Sequence, residues 1–190
     1  MPMNLIHRRI CSSAKWGQRV KDSLMPWALK DVSLGEDVLE IGPGFGATTR
    51  VLTSLTPRLT IVEVDPASAQ RLAAEFPSVR VIEGDGASLP LDDNEFSAVT
   101  CFTMLHHVPS VSLQDRLFAQ ACRVLRPGGV FAGVDSRVSL RFRILHIRDT
   151  MVVVDPASLP DRLRAAGFVD VSVETVPGAF RFRAKKPARP

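Results

Sequence analysis

The feature that most constrains the fold is a short apolar run followed by three glycines at alternate positions. Residues 38–41 predict a buried strand, and Gly42, Gly44 and Gly46 come directly after it. A helix then opens at Ala47. Glycine allows positive φ and close approach of a ligand to the backbone, and a helix start presents free N–H groups to an anionic group. This stretch therefore predicts a ligand-cradling strand, turn and helix within an α/β sheet.

Length and composition limit the classes of protein to which this chain can belong. The chain has 190 residues, of which 45% are hydrophobic, and this is enough for one domain with a full core. No apolar run approaches the roughly 20 residues that span a bilayer, and the N-terminus lacks a signal-peptide pattern. We therefore expect a cytoplasmic protein without a transmembrane segment. The three widely spaced cysteines predict neither a disulfide framework nor a metal site. The net charge of +4 does not indicate which class of partner the protein binds.

Strands and helices alternate from Gly35 onward, which predicts a parallel sheet covered on both faces. We predict a helical cap over residues 1–34 and a ligand-binding domain over residues 35–190, together forming one compact unit. Predicted strands lie at about 37–41, 59–64, 79–83, 96–102 and 130–134, with a closing pair at 168–173 and 179–184. The cap is expected to cover the sheet edge or to act as a lid.

Acidic residues end two of these strands, where ligands bind in open α/β sheets. Glu63 lies roughly 20 positions past the glycine turn and is placed to accept hydrogen bonds from ribose hydroxyls. Asp65 has a structural explanation as a helix N-cap before Pro66. Asp85 and the Gly86 backbone are placed to bind adenine, although a turn aspartate bonding its own backbone is the alternative.

Several motifs occur together in one order. They are Glu40-Ile41-Gly42-Pro43-Gly44-Phe45-Gly46, Val62-Glu63-Val64-Asp65, Glu83-Gly84-Asp85-Gly86, Leu89-Pro90-Leu91-Asp92, His106-His107 and Arg123-Val124-Leu125-Arg126-Pro127-Gly128-Gly129. Over about residues 38–134 this pattern resembles the class I S-adenosylmethionine-dependent methyltransferases. The resemblance implies a Rossmann-like seven-stranded, mostly parallel sheet with helices on both faces and the last strand antiparallel.

The resemblance also implies S-adenosylmethionine as the cofactor and assigns its contacts. Gly42, Gly44 and Gly46 would underlie it, and Glu40 would lie near its methionine end. Glu63 would hold the ribose, and Asp85 with Gly86 the adenine. One position departs from many relatives, which have aspartate where this chain has Ser97. That departure leaves a non-catalytic cofactor-binding or scaffold protein as an alternative.

The remaining candidates concern the methyl acceptor. His106 and His107 follow strand four, where the methyl group should lie, and either is a candidate general base or a packing residue. His7 and His146 are weaker candidates. Apolar walls are predicted from Trp16, Trp27 and Phe142, and an anionic anchor from Arg141 or Arg143, with core packing and a solvated helix face as alternatives.

We predict a small-molecule acceptor and a monomer or homodimer. The competing class is nucleic acid, because the first two motifs also resemble ribosomal RNA adenine dimethylases. Such enzymes carry an Asn/Asp-Pro-Pro-Tyr-like motif after strand four, whereas this chain continues Cys101-Phe102-Thr103-Met104 and has no tyrosine. Nucleic acid is therefore disfavoured.

Overall fold

A computed structural model describes residues 4–147 and 149–188, leaving out the side chain of Arg141. Helices α1 (Leu5–Cys11), α2 (Ala14–Arg19) and α3 (Met25–Ala28) come first, and a π-helical turn at Val20–Leu24 joins α2 to α3. The strands are β1 (Asp37–Ile41), β2 (Arg58–Glu63), β3 (Arg80–Glu83), β4 (Phe96–Phe102), β5 (Leu125–Ser136), β6 (Val169–Val176) and β7 (Ala179–Lys185). The other helices are α4 (Ala47–Leu52), α5 (Pro66–Glu75), α6 (Val111–Val124), α7 (Leu140–Leu145) and α8 (Leu159–Ala165).

The seven strands form one sheet in the order β3-β2-β1-β4-β5-β7-β6. Strands β1 to β5 pair in parallel, and β7 runs antiparallel between β5 and β6. The predicted fold class, including the antiparallel last strand, is confirmed. The order reverses between β1 and β4, so the crevice at their carboxyl ends is the place where this topology binds ligands.

Both faces of the sheet are buried, as expected for parallel strands. Neighbouring residues alternate between faces: Val38 joins the core beneath α3, α4 and α5, whereas Leu39 joins the core beneath α6 and α8. The second core contains Phe131, whose ring centroid lies 5.0 Å from that of Phe182 and 5.4 Å from that of Phe168. Close packing on both sides fixes the strand ends that carry the polar candidates.

Local signals set the helix starts as predicted. Asp65 is the N-cap of α5, because its carboxylate accepts the Ser68 backbone N–H at 2.9 Å and Pro66 occupies the first turn. The fifth strand begins earlier than predicted, at Leu125 rather than at about residue 130, and so includes the Arg126-Pro127-Gly128-Gly129 stretch. The pairing with β4 is irregular there, since the register passes from Leu125 directly to Val130.

The helices α1–α3 occupy the predicted cap, whose boundary at residue 34 remains a prediction. The Asn4 side chain ties α1 to the segment after α7, donating from Nδ2 to the Leu145 carbonyl at 2.7 Å. No helix within residues 4–147 and 149–188 has the length and apolar character needed to cross a membrane. A cytoplasmic location remains a prediction.

Candidate functional site

In the glycine turn after β1, Gly42 is closely packed, whereas the space beside Gly44 is open. Gly42 has φ +69°, and a Cβ there would lie 2.8 Å from the Met104 side chain. Glycine is therefore favoured at this position both by the left-handed backbone conformation and by the lack of space for a side chain. Gly44 has φ +56°, yet a Cβ there would meet nothing within 4 Å. Gly46 begins α4 as its N-cap. Space is therefore open on the Cβ side of Gly44, whose backbone is half-buried.

Glu63 at the end of β2 is bound to the glycine turn. One carboxylate oxygen accepts the Gly44 N–H at 3.2 Å, and the other accepts the Asp65 N–H at 3.0 Å. Its side chain is buried, and a carboxylate retains further lone pairs after two such bonds. The charge predicted to hold the ribose is therefore preorganised beside the turn predicted to underlie the cofactor.

Glu40 lies in β1, two residues before the turn, and is fully enclosed. Both of its oxygens accept hydroxyl hydrogen bonds from the start of α4, one from Thr48 and one from Thr49 at 2.6 Å. Burial raises the pKa of Glu40 from its usual 4.5 to about 7, although the two threonine hydroxyls act in the opposite direction. The hydrogen bonds of Thr48 and Thr49 to Glu40 were not predicted. The only signal for them in the sequence is that both threonines lie in the first turn of the helix that follows the glycine turn.

The adenine candidates follow β3. Gly86 is buried, and a Cβ there would lie 2.7 Å from Ile41 and 3.0 Å from Leu117. Asp85 is exposed, and one of its oxygens accepts the Ala87 N–H at 2.8 Å, as in the alternative that the sequence left open. Asp85 follows β3 two residues after Glu83, which pairs in parallel with Glu63, so both carboxylates lie at the same edge of the sheet.

His106 forms a buried dyad with Asp135 at the end of β5. The ring Nδ1 contacts one oxygen of Asp135, and the His106 backbone N–H donates to the other at 3.0 Å. Because a carboxylate only accepts, Nδ1 of His106 carries a proton, and the Nε2 atom of the same ring lies 3.2 Å from Nε2 of His146. The turn that presents His106 is strained, since Thr103 is β-branched and has φ +52°. The residue Asp135 was missed, although it ends a strand at the ligand-binding edge.

His107 lies next to His106 but in a different environment. Its Nδ1 contacts the Thr150 carbonyl at 3.2 Å, and its ring is 4.2 Å from that of His106 between centroids. Burial, helped by the neighbouring histidines, lowers the pKa of His107 from 6.5 to about 3. His107 is therefore a poor proton acceptor at neutral pH.

The predicted acceptor-binding residues fall into separate groups. Phe142 on α7 packs over the dyad, with its ring centroid 5.0 Å from that of His106. Trp16 and Trp27 instead pack against the core beneath the cap, and the guanidinium of Arg181 lies over the Trp27 ring. Arg143 is exposed, and the Arg141 side chain lies outside the described residues. Among the candidates whose side chains the structure describes, only Phe142 contacts a predicted catalytic residue.

Comparison with known proteins identifies the family. A family model described as a methyltransferase domain matches residues 39–133, which is half of the chain. The chain belongs to this methyltransferase domain family. The match begins within β1 and contains β2 to β4, α6 and most of β5, and so includes the glycine turn, Glu63, Asp85 and the histidine turn. The predicted resemblance to S-adenosylmethionine-dependent methyltransferases is confirmed, and S-adenosylmethionine is the cofactor of this class.

Individual relatives match to different extents. A probable S-adenosylmethionine-dependent methyltransferase of Mycolicibacterium smegmatis is 30% identical over 153 residues, covering 77% of this chain and 56% of that protein. Ribosomal RNA small subunit methyltransferase A of Chlorobium phaeobacteroides is 50% identical over 56 residues, 30% of this chain and 21% of that protein. The PH0226 protein of Pyrococcus horikoshii has the same fold, with a TM-score of 0.77 at 17% identity over 93% of both chains. This chain thus spans about a fifth to just over half of the length of the curated relatives it matches.

Proposed function

We propose that this chain transfers a methyl group from S-adenosylmethionine to a small-molecule acceptor. The proposal rests on one observation, namely that two groups of residues lie at the same crevice. One is the open Gly44 backbone bound to Glu63, and the other is the His106–Asp135 dyad on the neighbouring strands. The first suits a nucleoside cofactor and the second suits proton removal from an acceptor.

The residues at the crevice fit the cofactor's chemical groups. Glu63 retains acceptor capacity for ribose hydroxyls, and the exposed Asp85 is an acceptor for an exocyclic amine. Glu40 supplies a carboxylate beneath the turn, where a methionine ammonium group would be drawn. The bound cofactor supplies an activated methyl group on a sulfonium, so the protein's contribution is to position the acceptor in a dry site.

His106 is the proposed general base. Its Nε2 would accept a proton from a hydroxyl acceptor while Asp135 holds Nδ1–H and stabilises the imidazolium that forms. A phenol or other weakly acidic hydroxyl would gain from this arrangement, whereas an acceptor that is already anionic would not. Assistance of this kind is worth on the order of 10²–10⁴ in rate.

A small acceptor is favoured by what covers the dyad. His106 is 3% exposed and lies beneath Phe142 of α7. The segments near this edge are short, namely α1–α3 and residues 135–155, and the Asn4 contacts already join them to each other. Such an enclosed site fits a compact molecule better than a folded RNA.

The second candidate is an RNA acceptor, which the 50% identity to a ribosomal RNA methyltransferase over 56 residues favours. Against it, the residues that follow β4 are Thr103, Met104 and Leu105 rather than an Asn/Asp-Pro-Pro-Tyr motif, and the chain has no tyrosine. Labelled S-adenosylmethionine incubated with the enzyme and a cell extract decides between them. Label in the low-molecular-weight fraction supports the proposal, and label in RNA contradicts it.

Cofactor binding is tested with a matched pair of variants. Glu63→Gln removes the charge from the proposed ribose site, and Glu83→Gln removes an exposed charge at the register-paired position on β3. Calorimetry should show a loss of S-adenosylmethionine affinity of about tenfold to a few hundredfold for Glu63→Gln only, as expected for one or two charged hydrogen bonds. Equal affinity in a folded Glu63→Gln protein would exclude the ribose role.

A further inference from the structure

All four histidines of this chain meet in one buried cluster, which we call the histidine cluster: His7, His106, His107 and His146. They come from three distant segments, namely α1, the turn after β4, and the residue that follows α7. The ring centroids of His7 and His146 are 4.4 Å apart, and those of His107 and His146 are 5.4 Å apart. The methyl transfer proposed above uses one of them and leaves three without a role.

Three of these rings are arranged as metal ligands. One ring nitrogen from each of His7, His107 and His146 lies within 4.8 Å of one from each of the other two. Two imidazole nitrogens on a tetrahedral zinc ion lie about 3.3 Å apart, given bonds of about 2.0–2.1 Å. Closing the cluster on an ion therefore requires movements of at most about 1.5 Å, which small side-chain rotations supply.

A second layer of contacts orients each of these three rings. Nδ1 of His7 contacts the Asp149 carboxylate at 2.8 Å, and Nδ1 of His107 and His146 contacts the carbonyls of Thr150 and Phe142. These oxygens only accept, so each Nδ1 carries its proton and each Nε2 keeps a lone pair. Metal-binding histidines are typically oriented by a carboxylate or a carbonyl in this way.

The fourth ring of the cluster lies beside these three. Nε2 of His146 lies 3.2 Å from Nε2 of His106, so an ion bound by His146 would lie next to the His106–Asp135 dyad.

We propose that His7, His107 and His146 bind one divalent transition-metal ion of the class that prefers imidazole, such as Zn²⁺. Neutral imidazole suits zinc, copper, iron and nickel, whereas magnesium and calcium prefer oxygen ligands. The ion would fasten the cap and the α7 segment to the end of β4. It was not predicted from the sequence, because the three ligands are separated by 100 and 39 positions.

Titration of the purified, metal-free full chain with Co²⁺ tests the proposal without any measurement of methyl transfer. One equivalent should bind with the visible absorption of a four- or five-coordinate ion, and Zn²⁺ but not Mg²⁺ should displace it. His7→Ala and His146→Ala should weaken binding by more than 100-fold. Asp149→Asn removes the charge of the carboxylate that orients His7 and should weaken binding by about 10–100-fold.

Phe142→Leu is the matched control, because Phe142 packs 4.1 Å from the His146 ring and supplies no ligand side chain. Its affinity for Co²⁺ should stay within a few-fold of that of the parent chain. Equal losses in Phe142→Leu and His146→Ala would overturn the ligand assignment. If a histidine variant does not fold, X-ray absorption of the Zn²⁺-loaded parent chain decides: imidazole scattering at about 2.0–2.1 Å supports the proposal, and its absence overturns it.

Discussion

The buried carboxyl of Glu40 gives a prediction that links stability to pH. In the native chain its pKa is raised from 4.5 to about 7, chiefly by burial. Between these two values the native state holds a proton that the unfolded chain has lost. The free energy of unfolding contributed by this group therefore falls as the pH rises from about 4.5 to about 7.

The magnitude follows from the pKa difference. At 1.36 kcal/mol per pH unit, a rise from 4.5 to about 7 corresponds to about 3 kcal/mol once both states are ionised. Glu40→Gln removes the titration but keeps the contacts, since an amide oxygen accepts one threonine hydroxyl and its NH₂ group donates to the other. The variant should gain about 2–3 kcal/mol relative to the parent chain between pH 5 and pH 8.

Urea unfolding of both proteins at pH 5, 6, 7 and 8 measures this difference directly. Other titrating groups cancel in the comparison, because both chains share them. A stability difference between the two proteins that does not change from pH 5 to pH 8 would refute the raised pKa. If Glu40 also attracts the cofactor's ammonium group, the more stable Glu40→Gln variant should bind S-adenosylmethionine less tightly. Such a trade-off between stability and function is expected where a destabilising buried group serves binding.

Two further predictions test the crevice. Gly44→Ala and Gly178→Ala both place a Cβ at positive φ in open space, so each should cost about 1–2 kcal/mol of stability in thermal unfolding. Only Gly44→Ala should also reduce cofactor affinity, and equal affinities in the two variants would show that no ligand lies against Gly44. His106→Ala and Asp135→Asn should each lower kcat by about 10²-fold or more with cofactor affinity unchanged. If each loses only a few-fold in kcat, catalysis depends on proximity alone.

Much of the site could be predicted because its determinants are local in the chain. Alternation of strands and helices identifies a parallel sheet, and the carboxyl ends of such strands meet at one edge. Gly42, Glu63, Asp85 and His106 each lie at or within a few residues of the carboxyl end of a strand, so their convergence was expected before any contact was known. The N-cap at Asp65 was equally visible, since capping acts over three residues.

Other features were decided only by the tertiary structure. His106 meets Asp135 across 29 positions, and His7 meets Asp149 across 142, because the sheet order brings β4 beside β5 and the Asn4 contacts bring α1 to the α7 segment. Propensity and spacing carry no information over such separations, since they act within a few residues. The sequence by itself therefore determined the fold class and the sheet edge at which the candidate residues meet, whereas the histidine cluster and the partners of its rings depend on long-range packing.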